Sequence, residues 1–179
     1  KKLEDLEEEI KKLLEELKER NERSAREDRE ILERLRDENR RTAEELDKSV
    51  REILKKTGDT EDLKKLKEEH KELKKRLKET TDRIRKTSKD LEKELRDATE
   101  RIARELKRLV DDLRRKNLED DRKLKEVRDT LEKLREENRK LNEEWRRKSE
   151  ELRRRNEKVN KEVRDRNRET IERVDRKAK

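Results

Sequence analysis

The sequence predicts an all-α protein, a long and nearly straight up-down-up three-helix bundle with about 55 residues per helix. Three observations lead to this fold class. The chain contains no proline and a single glycine, so almost nothing in it interrupts a helix. Charged residues make up 64% of it, and lysine, glutamate, arginine and leucine are strong helix formers. Its apolar residues follow an 18-residue cycle of spacings 3, 4, 3, 4 and 4.

Each predicted helix carries three copies of this cycle, whose positions we call the seam. The seam starts at Leu3 in the first helix (about 2–57), at Leu63 in the second (about 60–116) and at Leu124 in the third (about 119–178). Eighteen residues over five turns give the period of a straight α-helix rather than that of a supercoiled heptad repeat. At 1.5 Å per residue, each helix would be roughly 80–85 Å long.

Two short joints separate the predicted helices. At 57–60, Gly58 suits the left-handed residue that ends a helix, and the residues after it can cap the next one. At 117–121, Asn117 tolerates the left-handed conformation and the acids that follow favour a helix N-terminus. The seam spacing across this second joint is also compatible with a continuous helix. Turns at both joints give one bundle domain over residues 1–179 with antiparallel neighbours.

Polar side chains occupy a large share of the seam. Asp28 is the only charged seam residue in a chain that is 64% charged, and every asparagine and serine lies on the seam. A solvated face would scatter these residues. A hydrophobic content of 23% alone suggests disorder, but the 61 basic and 53 acidic residues nearly balance. We therefore expect the polar seam residues to be buried inside a folded bundle.

Folding at the two joints gathers these residues into four sets. Helices one and two pair at positions that sum to about 120, helices two and three at about 241, and helices one and three run parallel with an offset of about 121. The first two sets are Asn21, Thr99 and Asn142 with Asn138 nearby, and Asn39, Thr81 and Asn160 with Asn156 nearby. The other two are Ser49, His70 and Thr170 with Asn167 nearby, and Asp28 and Ser149 between Trp145 and Ser88.

Because these buried polar groups are clustered, they can form hydrogen bonds with one another. An orphaned buried polar group costs about 1–3 kcal/mol, whereas members of one set can satisfy each other directly or through water. A slipped register leaves them unpaired. The sets are therefore predicted to specify helix register and packing.

With its 18-residue repeat, its three equal helices, the joint at 57–60 and its polar layers, the chain resembles de novo designed parametric helical bundles with buried hydrogen-bond networks. The resemblance covers the whole chain and implies high stability and a scaffold purpose rather than a selected activity. One departure is that the seam is more polar than a bundle built for stability alone would need.

The single histidine, His70, is expected to hydrogen-bond Ser49 or Thr170. A pH switch is the alternative, because imidazole titrates near neutrality. We expect no metal there, because the predicted set of His70 contains no carboxylate.

Asp28 is expected to accept hydrogen bonds from Ser149, Ser88 or the indole N–H of Trp145, a core filler opposite Ser24. The alternative role, a general acid or base, lacks a paired carboxylate, a nucleophile or a cleft. The sequence thus offers no catalytic, cofactor-binding or metal-binding residue, and we predict neither an enzyme nor a cofactor.

The prediction for partners is a monomer, with a homo-oligomer as the alternative. Apolar residues beside the seam either widen the core or form a patch for a second chain; they are Leu14, Leu32, Val50, Leu54, Val110, Leu141, Val159 and Ile171. The net charge of +8 permits salt-sensitive contacts with nucleic acid, but no motif indicates a specific nucleic-acid partner. Neither a membrane span nor a targeting signal is recognisable, so we expect a soluble protein that suits recombinant cytoplasmic expression, with its compartment unknown.

Three functions remain open. The first is a designed structural scaffold whose polar layers specify register and packing, without natural biochemical activity. The second is a designed self-assembling or partner-binding helical module. The third is a natural spectrin-like coiled-coil spacer, against which the exact repetition of the 18-residue spacing counts.

Overall fold

The computed structural model describes residues 2–57, 61–116 and 121–178, which form three α-helices. These are α1 (Lys2–Thr57), α2 (Glu61–Lys116) and α3 (Asp121–Ala178), of 56, 56 and 58 residues. No strand occurs within these ranges, so the predicted all-α three-helix bundle is confirmed. The predicted joint residues 58–60 and 117–120, which include the expected helix starts at 60 and 119, lie outside the described residues.

Composition and end charges favour these helices. They contain no proline, and the strong helix formers lysine, glutamate, arginine and leucine dominate them. Acidic residues lie in each first turn, for example Glu61 in α2 and Asp121 in α3, and Lys55 and Lys56 lie in the last turn of α1. These charges oppose the partial charges of the helix ends and stabilise them.

All three helices contribute to each of two compact units. Unit 1 consists of Lys1–Arg29 and Lys89–Lys148, and unit 2 consists of Glu30–Ser88 and Ser149–Lys179. The expectation of a single bundle domain over residues 1–179 stays a prediction.

In unit 1, α1 and α2 are antiparallel and α1 and α3 are parallel. Asn21 bonds Thr99 and Glu7 bonds Arg114, so paired positions keep a nearly constant sum. Asn142 bonds Asn21, which gives the offset of 121 positions expected for parallel helices. The main core cluster comprises Leu6, Ile10, Leu13, Leu17, Ile102, Leu106, Leu113, Leu124, Val127, Leu131 and Leu134. A smaller cluster comprises Leu91, Leu95 and Trp145.

Unit 2 repeats this arrangement with its own contacts. Asn39 bonds Thr81 across the antiparallel pair, and Asn160 bonds Asn39 across the parallel pair. Its core consists of three clusters: Leu32, Leu35 and Ile84; Leu46, Leu73, Leu77 and Val163; and Val50, Ile53, Leu63, Leu66 and Val174. Each fully buried leucine of this kind contributes roughly 1.5–3 kcal/mol.

The apolar residues beside the seam belong to these cores. Leu32 and Val50 are buried, and the other six are half-buried against the clusters of their own unit. No large hydrophobic side chain is exposed in the described parts of the chain. The apolar stripe is therefore broader than a two-position coiled-coil seam, as a core-facing bundle helix requires.

Candidate functional site

The first polar layer joins all three helices of unit 1 through Asn21. The Asn21 side-chain amide donates to Thr99 Oγ1 at 2.8 Å, and Asn142 Nδ2 donates to Asn21 Oδ1 at 2.9 Å. The Thr99 hydroxyl donates onward to the carbonyl of Leu95 at 2.8 Å. Asn142 Nδ2 also donates to the carbonyl of Asn138 at 3.0 Å. One directed chain of bonds thus runs from α3 through α1 to α2.

The second layer, in unit 2, has the same connectivity 18 residues along each helix. Asn160 Nδ2 donates to Asn39 Oδ1 at 2.7 Å, and Asn39 Nδ2 donates to Thr81 Oγ1 at 3.0 Å. Thr81 donates to the Leu77 carbonyl at 2.9 Å, and Asn160 Nδ2 also donates to the Asn156 carbonyl at 2.8 Å. The 18-residue repeat therefore extends from the apolar spacing to the hydrogen bonds.

A threonine completes the second layer but not the first. The hydroxyl of the buried Thr42 donates to Asn160 Oδ1 and also contacts the carbonyl of Glu38 at 3.0 Å. The equivalent position in unit 1 holds the half-buried Ser24. There, Asn142 Oδ1 is buried without a hydrogen-bond partner among the described residues.

The two units also differ in the hydrogen bonds of the asparagine that lies one turn before each layer. Asn156 Nδ2 makes two long hydrogen bonds of 3.4 Å, to the Leu35 carbonyl and to Glu38 Oε2. Its counterpart Asn138 is also buried, yet neither side-chain polar atom has a partner within the described ranges. The residue that corresponds to Glu38 is Arg20, which offers no acceptor.

The third predicted set is divided among several partners, and the expected partner of His70 is corrected. His70 Nε2 lies 2.9 Å from Asp47 Oδ1, while Thr170 Oγ1 donates to Glu69 Oε2 at 2.7 Å. Ser49 and Asn167 line a shared groove between α1 and α3. The expectation that no carboxylate lies beside His70 is wrong, because Asp47, next to the seam, reaches it.

The expected partner of Trp145 is also corrected. Its indole N–H donates to Glu94 Oε2 at 2.7 Å rather than to Asp28, while the ring is buried against Leu91 and Leu95. Lys148 Nζ lies 4.6 Å from the ring centroid, within the range of a cation–π interaction. Glu94 lies beside the seam of α2, and its flexible side chain reaches the nitrogen that burial would otherwise leave unpaired.

Asp28 is fully buried in unit 1 and has a cationic neighbour that the seam did not indicate. Arg146 Nε lies 3.4 Å from Asp28 Oδ1, and the same arginine pairs with Glu27. In unit 2, Ser149 is fully buried with no partner for its hydroxyl among the described residues, and Ser88 is half-buried.

Sequence reasoning missed a class of functional residue, the charged side chains that flank the seam. Three of these carboxylates, Glu69, Glu94 and Glu38, accept hydrogen bonds from seam residues. A fourth, Asp47, lies close to His70 Nε2 without forming a hydrogen bond to it. Their signal in the sequence is weak, since acidic residues occur throughout the surface of this chain. A carboxylate one position from the seam and opposite a buried donor is the feature that would have found them.

Ion pairs at the surface shift the pKa of four groups, of which Arg114 and Glu136 are exposed and Glu7 and Arg139 are half-buried. A hydrogen bond from Arg114 lowers the pKa of Glu7, and one from Arg139 lowers the pKa of Glu136. The same contacts raise the pKa of the two arginines. Such surface pairs contribute little to stability because solvent screens them.

The described residues contain no group of three histidine, aspartate or glutamate side chains that could hold a metal ion. Within the described ranges, no helix has an apolar stretch that would let it cross a bilayer. Comparison with protein-family models, curated proteins and solved structures returned no match. What the polar layers can do chemically is hydrogen-bond one helix to another at a fixed register.

Proposed function

We propose that this protein is a designed structural scaffold, without enzymatic activity, whose buried polar layers specify the register of its three helices. The observation that carries the proposal is the repeated connectivity Asn142–Asn21–Thr99 and Asn160–Asn39–Thr81. In each layer, one asparagine of α1 accepts from α3 and donates to α2.

Hydrogen-bond direction explains how such a layer selects a register. A slip by one turn would place the amide of Asn21 against the apolar side chain of Leu95 or Ile102, which accepts no hydrogen bond. Each amide would then lose its partners at a cost of about 1–3 kcal/mol per orphaned group. An apolar core would tolerate the same slip better, because hydrophobic burial has no direction.

The burial pattern supports a self-contained scaffold over an assembling module. No large hydrophobic side chain is exposed in the part of the chain that the structure describes, and the flanking apolar residues pack inside their own units. Specific assembly usually relies on apolar or aromatic residues in the centre of an interface.

The test replaces Asn21 and Asn142 together by leucine. Thr99 keeps its bond to the Leu95 carbonyl, so the double variant leaves no hydroxyl orphaned. The matched control is Asn138→Leu, which is the same substitution one turn away at a side chain without a partner among the described residues. We expect the control to raise stability and keep one register.

The readouts are mass and helix register. Because the chain contains no cysteine, spin labels at Lys12→Cys and Arg108→Cys report one distance across α1 and α2 in unit 1. We expect one narrow distance distribution and a mass of 22.2 kDa for the native sequence and the control, but several distances or a larger mass for the double variant. A double variant with one unchanged distance, unchanged mass and equally dispersed amide spectra would contradict the specificity role. A larger constant mass for the native sequence would favour the assembling module.

A further inference from the structure

A wide cationic groove lies between α1 and α2 of unit 2. Its volume is about 890 Å³, and Asn39, Ala43, Leu77 and Thr81 form its floor. Seven basic side chains surround it: Arg36, Arg40, Lys71, Lys74, Lys75, Lys78 and Arg85. Three acidic residues also line the groove, Glu33, Asp37 and Asp82. The groove therefore has an excess of four positive charges.

Most of this positive charge is not neutralised by the protein. Five of the seven cations have no carboxylate within 4.0 Å among the described residues, and they are Arg36, Lys71, Lys75, Lys78 and Arg85. Arg40 has only distant pairs, at 3.7 Å to Asp37 and 4.0 Å to Glu44. Lys74 lies 3.2 Å from Asp47, which also contacts His70. A water-filled groove with unpaired cations on both walls attracts anions strongly.

The 18-residue repeat provides an internal comparison, because unit 1 has an equivalent groove with the same kind of floor. That groove has a volume of about 330 Å³, and its floor is Asn21, Ala25, Leu95 and Thr99. Two shared wall positions differ in the sign of their charge. Arg40 corresponds to Glu22, and Lys74 corresponds to Glu92. Glu92 is moreover paired with Arg29 at 2.7 Å.

This comparison indicates which cations of the groove also join α1 to α2. Both units use the same asparagine and threonine layer beneath the groove, and one of them tolerates acidic residues at the two positions. Lys74 joins α2 to α1 through Asp47, as Glu92 and Arg29 do with opposite charges in unit 1, whereas within the described ranges Arg40 contacts only carboxylates of its own helix. The five cations that have no carboxylate within 4.0 Å among the described residues are available to bind a ligand.

We propose that the groove of unit 2 binds a linear phosphate polyanion of the inorganic polyphosphate class. The basic residues of α2 that line it run from Lys71 to Arg85, a distance of about 21 Å along the helix at 1.5 Å per residue. An extended chain of phosphates can contact both walls along this length, with lysine and arginine donating to its oxygens. A single phosphate would engage only a few of the seven cations.

The lining argues against two other anions. No aromatic side chain lines the groove, so nucleobases would find no surface on which to stack. The floor offers only Ala43 and Leu77 as apolar residues, too little for the apolar face of an acidic peptide helix. Closely spaced phosphates without bases or side chains match the groove best.

The principal experiment compares two double variants of equal net charge. Arg40→Glu with Lys74→Glu introduces the residues of unit 1 into the groove and lowers the net charge from +8 to +4. Lys12→Glu with Arg108→Glu makes the same change of charge at exposed residues of unit 1 outside both grooves. End-labelled inorganic polyphosphate is titrated against each protein by fluorescence anisotropy at low and moderate salt, and thermal melts verify folding.

We expect the groove variant to lose roughly tenfold or more in affinity and to show a shallower salt dependence, because fewer counterions are released. By the same principle, the control should lose less than about threefold. In the native protein, polyphosphate should shift the amide signals of Ala43 and Leu77 more than those of Ala25 and Leu95. This mapping tests the site even if the groove variant does not fold.

A charge exchange tests the same inference at constant composition. Adding Glu22→Arg and Glu92→Lys to Arg40→Glu and Lys74→Glu restores the net charge of +8. We expect the shifted amide signals to move from Ala43 toward unit 1.

Equal losses of polyphosphate affinity in the two double variants would overturn the proposal, since whole-protein charge would then explain binding. So would the absence of saturable binding at low salt, or tighter binding of a single-stranded oligonucleotide of equal charge, which would indicate a nucleic-acid site.

Discussion

The polar layer of unit 1 can be completed by two residues taken from unit 2. Arg20→Glu and Ser24→Thr give the first repeat the residues that Glu38 and Thr42 provide in the second. In unit 2 the Thr42 hydroxyl donates to Asn160 Oδ1. Glu38 accepts a hydrogen bond from Asn156, which lies one turn before Asn160 on α3. The same bonds should form to the partnerless atoms of unit 1.

The two substitutions should contribute unequally. The threonine gives Asn142 Oδ1 a donor, and pairing such a buried acceptor is worth about 1 kcal/mol or somewhat more. The β-branch of threonine also restricts its hydroxyl, which contacts the backbone carbonyl four residues earlier in the case of Thr42. The glutamate adds less, because the equivalent bond of Asn156 is long at 3.4 Å. Together we expect roughly 1–2 kcal/mol.

The assay is equilibrium unfolding in guanidinium chloride, combined with thermal melts. For a protein of this size, a gain of about 1 kcal/mol corresponds to a rise in melting temperature of about 2–4 °C. The reciprocal variant, Glu38→Arg with Thr42→Ser, should lose a similar amount. Serine lacks the β-methyl group that restricts the hydroxyl near Asn160 Oδ1, and arginine at position 38 offers no acceptor to the amide of Asn156. Exchanging all four residues keeps composition and net charge unchanged.

Three outcomes would refute this reasoning. In the first, Arg20→Glu with Ser24→Thr equals the native protein in stability, which would mean that water already satisfies Asn142. In the second, the reciprocal variant is as stable as the native protein, which would mean that the Thr42 bond makes no net contribution to the free energy of unfolding. In the third, the gain from Arg20→Glu alone exceeds the gain from Ser24→Thr, which would assign the effect to surface charge instead.

Other contacts lead to three further predictions. Glu94→Ala should cost about 1–3 kcal/mol by orphaning the indole N–H of Trp145, and unfolding followed by the fluorescence of this single tryptophan measures it. Ile84→Ala should cost about 2–5 kcal/mol in chemical unfolding, because Ile84 is fully buried and a cavity would remain. Because Arg114 lowers the pKa of Glu7 below its ordinary value of 4.5, the pair stabilises the fold above that pH and loses its effect as the pH falls further. The difference in melting temperature between native protein and Glu7→Gln should therefore be present at neutral pH and disappear in acid.

The fold was predictable because one periodicity is repeated in the sequence with few exceptions. The spacing of Leu63, Leu66 and their successors specifies a helix and its buried face, and the absence of proline leaves little competition. Helix ends were predictable to within a residue or two wherever the structure describes them. The greater burial of Leu32 than of its seam neighbour Ile31 was not predictable, because it depends on how each unit packs locally.

The candidate site was predictable only where its members lie on the seam and bond across it. The Asn21–Thr99 and Asn39–Thr81 pairs follow from register arithmetic, because short polar side chains must be nearly opposite to bond. The contact between Glu94 and the buried Trp145 does not follow from register arithmetic, because a glutamate outside the seam has enough rotatable bonds to reach several positions. The length and flexibility of the side chain, rather than its position in the repeat, determine such contacts.

The two layers share the bonds that the scaffold proposal needs and differ in one further bond. Unit 1 keeps every bond that crosses between helices in the chain from Asn142 through Asn21 to Thr99, although Asn142 Oδ1 lacks a partner among the described residues. A layer optimised for stability would have removed that orphaned acceptor, for example by placing threonine at position 24 as at Thr42. The bond that unit 1 lacks would also cross between helices, because its counterpart in unit 2 joins Thr42 of α1 to Asn160 of α3. The scaffold proposal therefore needs only the two cross-helix bonds that both layers share, and the alignment of the helices, rather than the melting temperature, is the measurement that tests it.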